Sequence, residues 1–401
     1  MRSLLGCGLA LLVALDVPTT ATQTAPRRFV TVTAGADHVC ALTDRGEAYC
    51  WGSNEFGQLG SGSADSVPYT VAVRVRTDMK FTTVSAGFTH TCALAGDGSA
   101  WCWGANDTAQ LGDGSLKNSP IPVRVSTDVK LQAIGPGGGH TCGVSDGGIG
   151  YCWGGNWHGQ LGVGDRDGDA AAPCCYRVPR PIRSALRFRT AVAGGISSCA
   201  VAVGGKAYCW GSPQEGRLGT GAEDAANKSA DKTIPTAVVG DALFQTVLPR
   251  AWHTCGLSSI NGALCWGGDM FQMKSAVPER VSIPGELSLV TTGHFHDCAL
   301  TQDGTAYCWG INTDGELGDG STHEAAAPLR AATPRRFRSI AAGGSMDISR
   351  PGQPGEVPTW GFTCAVTADD GSILCWGDNR HGALGNGSTE RALTPTPIAK
   401  S

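Results

Sequence analysis

His38-Val39-Cys40-Ala41-Leu42-Thr43-Asp44-Arg45-Gly46-Glu47-Ala48-Tyr49-Cys50-Trp51-Gly52 reads as a β-hairpin closed by its own cysteines. Asp44-Arg45-Gly46 separates two short apolar runs, and Gly46 is suited to the positive φ of a three-residue hairpin loop. Centring the turn on Arg45 sets Thr43 against Glu47, Leu42 against Ala48 and Cys40 against Cys50. Directly opposed residues at a non-hydrogen-bonded site hold their Cβ atoms about 4.5 Å apart, close to what a disulfide spans. The hairpin therefore predicts a Cys40–Cys50 bond.

The same unit recurs along the chain. Cys-Trp-Gly begins at Cys50, Cys102, Cys152, Cys209, Cys265, Cys308 and Cys375. A partner cysteine lies ten residues earlier at Cys40, Cys92, Cys142, Cys199, Cys255 and Cys298, and eleven earlier at Cys364. Turn signals recur between them, from Asp97-Gly98 to Asp370-Gly371, and the extra residue of the last copy, Asp369 or Asp370, enlarges its turn. Seven disulfides follow, each inside its own repeat. Zinc fits this ladder poorly, because structural zinc sites use two to four residues between paired cysteines and four convergent ligands.

Working outward, each unit opens on an apolar anchor (Phe29, Phe81, Leu131, Phe188, Phe244, Leu287 or Phe337), often followed by Val-x-Ala-Gly as at Val32–Gly35. It ends on Gly-x-Leu-Gly or a near copy, which the fifth unit has lost. First cysteines lie 52, 50, 57, 56, 43 and 66 residues apart, room for about four short strands and their turns. The composition agrees: 58 Gly and 16% charged residues in 401 favour tight turns over solvated helices. A four-stranded sheet that cannot cover both its faces alone is a propeller blade. The expected fold is all-β, a seven-bladed β-propeller with four-stranded antiparallel blades. The ring is expected to be closed by the N- and C-terminal strands, Phe29–Ala34 meeting the 395–398 segment. Repeat cores are placed near 29–62, 81–114, 131–164, 188–221, 244–267, 287–320 and 337–387, in one domain spanning 26–401.

Val32-Thr33-Ala34-Gly35, His38, Ala41-Leu42-Thr43, Trp51-Gly52-Ser53-Asn54 and Gly57-Gln58-Leu59-Gly60 resemble the repeat of the regulator of chromosome condensation family, over about residues 28–398. The resemblance implies a seven-bladed propeller that binds proteins through its loop faces. The family's founding member is a guanine-nucleotide exchange factor for a nuclear GTPase that also docks on chromatin. The present layout, with an export signal and regular cysteine pairs, is more similar to exported bacterial propellers of the family, one of which inhibits β-lactamase by tight protein binding.

Residues 1–25 have the form of a secretory signal peptide: Arg2, an apolar run from Leu4 to Leu15, then small and polar residues with cleavage expected after Ala21 or Ala25. Leu4-Leu5-Gly6-Cys7 has the look of a lipoprotein box, but its apolar stretch follows Cys7 where it should precede it. The 17 cysteines also argue for an oxidising compartment, so the protein is expected to be exported, periplasmic or secreted, and monomeric. A net charge of −4 lacks the basic excess that nucleic acid requires. No later apolar run is long enough for a membrane span.

Chemistry is sparse. His38, His90, His140, His253 and His296 share one slot two residues before the first cysteine, with Ser197 and Phe362 in the other copies. A ring held apart by the blades reads as structure, an imidazole hydrogen-bonded to a neighbouring backbone carbonyl, and not as a ligand set. The Trp of Cys-Trp-Gly is read as packing, and Asn54, Asn106, Asn156, Asn312 and Asn379 as turn formers. No catalytic triad, nucleophile elbow, phosphate loop or metal set stands out, and no cofactor is called for; Gly135–Gly139 precedes a hairpin, not a helix. Asp165, Asp167 and Asp169 alternate as in a calcium loop but lack its glycine and distal glutamate. Function is sought where the repeat breaks. Cys174-Cys175 lies in an insertion and is expected to form a vicinal disulfide, to pair with another chain, or to remain reactive. Trp157, Tyr176, Trp252 and Trp360 depart from the repeat and are candidate anchors for a protein or cell-surface ligand. The alternatives are an exported lyase or hydrolase acting in the central channel, and nucleotide exchange by family analogy.

Overall fold

The computed structural model describes residues 27–167, 175–221, 231–268, 274–346 and 359–399. Among them, twenty-eight strands form seven antiparallel four-stranded sheets, each continuous in sequence. The first contains β1 (Phe29–Ala34), β2 (His38–Thr43), β3 (Ala48–Asn54) and β4 (Asp65–Arg74), in that spatial order. The other blades span 81–124, 131–181, 188–237, 244–280, 287–330 and 337–397. The hairpin register is the expected one: Leu42 opposes Ala48, Cys40 opposes Cys50, and the Thr43 amide donates to Glu47 O at 2.9 Å. Gly46 has φ +74°. In the last blade the Thr367 amide reaches Ser372 O, so the added residue lies in the turn and Cys364 still faces Cys375. All seven pairs are bonded, with Cα atoms 4.1 Å apart.

The blades share their cores. Cys40, Leu42, Ala48 and Cys50 of the first blade pack with Phe81, Val84, Ala93 and Trp103 of the second. Trp103 is fully buried, and its indole N–H donates to Gln58 O of the preceding blade at 2.9 Å. Trp153, Trp210, Trp266 and Trp376 repeat this bond to Gln110, Gln160, Arg217 and Glu316. A buried indole needs such a partner, and the carbonyl of the Gly-x-Leu-Gly loop supplies it. Asn54 holds that loop closed: its Oδ1 accepts from the Leu59 amide and its Nδ2 donates to Ser63 O. The asparagines are turn formers, as read.

The terminal segments meet in one apolar cluster that includes Phe29, Trp51, Phe362, Leu384 and Ile398. They meet by packing, as expected, and lie in different sheets. Phe29–Ala34 is the inner strand of blade one, and the final strand, Ala392–Pro397, is the outer strand of blade seven. Each repeat already holds four complete strands, so the ring is sealed by blade-on-blade packing and by bonds such as Trp51 Nε1 to Ala383 O at 2.8 Å. Strand alternation then fixes two faces. Connections from first to second and from third to fourth strands lie on an upper face, and the Cys-to-Cys turns and interblade linkers on a lower one.

Candidate binding face

All four candidate anchors sit on the upper face, although they come from three blades and 204 positions of sequence. Trp157 lies in the third-to-fourth connection of blade three and Tyr176 at the start of that blade's outer strand, opposite Gly154. Trp252 lies in the first-to-second connection of blade five, and Trp360 at the start of the second strand of blade seven, opposite Ser345. Trp157 is 41% exposed, its ring resting beside Gly139 and Gly155. Trp252 is half-buried, with the Arg217 guanidinium 5.3 Å from its ring; Arg217 is held in turn by the Gln214 and Ala251 carbonyls. Trp360 donates to Asp37, and the guanidinium of Arg380 sits 5.2 Å from its ring. Asp37 also pairs with His381 at 3.1 Å and raises that imidazole above its ordinary value. Tyr176 is tied down more firmly, donating to Asp165 at 2.6 Å and packing on the core shared by blades three and four. The residues flanking the four internal stretches outside the described ones (167 and 175, 221 and 231, 268 and 274, 346 and 359) also lie on this face. The candidates, scattered in sequence, thus share one face.

Beneath this face the inner strands end in a ring of backbone. A Cβ at Gly35 would lie 2.3 Å from Gly87 O, and one at Gly137 would lie 2.2 Å from Gly194 O. The rim therefore demands glycine, and six blades provide it: Gly35, Gly87, Gly137, Gly194, Gly293 and Gly343. Blade five carries Arg250 instead, a departure visible in the sequence but overlooked there. Its side chain crosses the axis, with Nε donating to Thr292 O at 2.7 Å and one terminal nitrogen to Ala34 O and Ala342 O, both at 3.1 Å. Phe88 and His294 meet across the ring, centroids 6.1 Å apart, and with Arg250 they close the channel from above. Below lies a cavity of about 310 Å³ walled by residues such as Val32, Leu248, Val290 and Ile340.

The repeated histidines are structural, but their partner is not a backbone carbonyl. His38 Nε2 lies 2.9 Å from Thr91 Oγ of the next blade, and Thr91 spends its single proton on Gln58 O. Thr91 must then accept, so His38 carries its proton on Nε2, and its Nδ1 faces Gly35 without a partner. His90 with Thr141, His140 with Ser198 and His296 with Thr363 repeat the geometry. At His38 and His90 a second proton would have no acceptor, and burial holds the imidazoles down, His38 to about 4 and His90, His140 and His296 to about 3. Where blade seven meets blade one, both members change together, to Phe362 and Val39, which share an apolar cluster. Thr91→Val is expected to destabilise by about 1–3 kcal/mol, since it strands a buried donor and removes one from Gln58 O. Adding His38→Phe should recover part of that loss, rebuilding the seam's own solution; a double variant as costly as the two single changes combined would refute the coupling. Denaturant titration of the four proteins measures it.

Among the described residues, one group has metal-like spacing, His253, Cys255 and Asp297. Cys255 is bonded to Cys265, and His253 pairs with Asp297 at 2.9 Å as the blade-five version of the relay. Asp165 and Asp167 receive hydrogen bonds from Asn156 and so serve the loop. Asp169 and Cys174 lie outside the described residues, and with Cys174 goes the vicinal bond. Cys175 is buried opposite Gly155.

The fold defines a seven-bladed β-propeller of stapled repeats. Models of the regulator of chromosome condensation (RCC1) repeat match residues 29–58, 81–110 and 288–316, and in a second form 45–94, 97–144, 147–201, 303–346 and 370–401; the chain belongs to this family. It is 27% identical to the ultraviolet-B receptor UVR8 of Arabidopsis thaliana, over 91% of this chain and 80% of that protein. It is 31% identical to the probable E3 ubiquitin-protein ligase HERC4 of Homo sapiens over 87% of this chain, but spans only 32% of HERC4. Prp20p of Saccharomyces cerevisiae, described with its binding to Gsp1p and histones, superposes with a TM-score of 0.72 at 18% identity, covering 93% of this chain and 88% of that one. Among the described residues, no helix is long and apolar enough to cross a membrane.

Proposed function

We propose that this protein is an exported, non-catalytic propeller that binds a protein partner or cell-surface ligand through its upper face. The observation that carries the reading is the sharing of that face by Trp157, Trp252, Trp360 and the residues that flank the four internal stretches outside the described ones. Buried aromatic anchors dominate protein interfaces, and Prp20p, whose fold this chain shares, is described as binding proteins. Fourteen paired half-cystines support an oxidising compartment. The channel offers little to an enzyme, because its walls are largely aliphatic and its one cation is engaged by three carbonyls.

The test is affinity capture from cell envelope and culture supernatant. A partner retained by the unaltered chain should be lost, or bound at least tenfold more weakly, with Trp157→Ala, Trp252→Ala or Trp360→Ala. It should persist with Ile260→Ala, a change on the lower face at a residue 81% exposed. The reverse pattern would place recognition on the other face, and recovery of the mature chain from the cytosol would end the export reading.

A further inference from the structure

We propose that the axial channel is a binding site for a small free carboxylate, its charge met by the Arg250 guanidinium and its short aliphatic part lying along the channel wall. Arg250 stands where the other six blades carry glycine, so at this one rim position a long charged side chain replaces a bare backbone. Among the described residues no carboxylate lies within ion-pair distance of it. The nearest acid influence is Asp297, which is engaged by His253. Arg250 is part-buried, and three strand-end carbonyls answer only Nε and one terminal nitrogen. The other terminal nitrogen has two N–H donors and no acceptor among the described residues, on a side chain that lines the cavity.

The surroundings select the ligand. Burial first, and the neighbouring Arg250 second, push His294 down to about 3, so at neutral pH Arg250 alone carries positive charge at the ceiling. Val192, Leu248 and Leu289, partly exposed among the lining residues, give an aliphatic wall, with Thr33, Ser85 and Thr291 among them. About 310 Å³ lies at the small end of ligand pockets. Phe88 and His294 cover the upper end, so entry is from below, opposite the face proposed to bind protein. The two readings can therefore fail separately.

Calorimetric titration of the oxidised full-length mature protein with butyrate tests the proposal, with butyramide as a neutral mimic of similar shape. Butyrate is expected to bind, and butyramide to bind roughly 10- to 100-fold more weakly, the usual range for a hydrogen bond to a charged group. Arg250→Gly, which installs the residue of the other six blades, is expected to abolish the response to butyrate. Arg250→Met provides the same test if the glycine variant does not fold. Absence of butyrate binding, equal binding of butyramide, or undiminished binding by either variant would overturn the proposal. Tighter binding of tetra-alanine than of butyrate would overturn it in favour of a peptide terminus.

Discussion

Dithiothreitol added to the folded protein is expected to leave the seven disulfides oxidised, whereas the same reagent in denaturant is expected to prevent refolding. Every bonded cysteine is wholly inaccessible, and each pair is sandwiched between its own blade and the next, so a thiolate can attack only after the blades part. Once the chain is open, the staples become decisive. In the chain-entropy model a loop of about eleven residues contributes roughly 3 kcal/mol. Even at half that value, seven loops together would match the 5–15 kcal/mol net stability of a typical domain. Mass mapping after alkylation follows the first half of the experiment and circular dichroism the second. A reduced and alkylated chain that refolds with an unchanged melting temperature would show that packing alone suffices.

Much of this architecture was legible in the sequence because it is local. The Cys40–Cys50 register depends on one turn whose centre can be read from Asp44-Arg45-Gly46, and repetition makes seven weak signals into one strong one. What escaped depends on neighbours 40 to 70 positions away. His38 finds its partner in Thr91, and no spacing within a single repeat announces that. The joint change to Phe362 and Val39 at the seam did announce it, but only to a reading that compares adjacent repeats as pairs. Arg250 was visible as a break in Ala-Gly, yet its significance lies in the backbone crowding at the rim, which requires the ring to be closed. The candidate anchors were found as departures from the repeat. Their common face follows from strand alternation, and the firmer hold on Tyr176 follows from Asp165, eleven residues away in the same insertion.

The fold is expected to be acid-labile. Burial holds the relay imidazoles His38, His90, His140 and His296, and His294 beside Arg250, down to about 3 to 4, below the 6.5 of a free imidazole. The unfolded chain therefore takes up protons before the folded one does. The stability contributed by these groups is intact above pH 6.5 and is lost as the pH falls toward 4. Glu316 acts in the opposite sense, because burial pushes it up to about 7 from 4.5 and its contribution grows as the pH falls through that window. Five imidazoles opposed by Glu316, with Asp167 and Asp314 also raised by burial, leave a limiting uptake of at most about four protons, or on the order of 5 kcal/mol for each pH unit below 6.5. A drop of that size consumes a typical domain's stability within two or three units, so acid unfolding is expected near roughly pH 4. Denaturant titrations from pH 7.5 to 4.5 would reveal the decline. His38→Phe with Thr91→Val should lower the slope by about one proton, since that interface would then match the apolar seam. Equal stability at pH 7 and pH 5 would mean that the native blades open enough to hydrate their imidazoles, and the unpartnered Nδ1 atoms could no longer be taken as sealed from water.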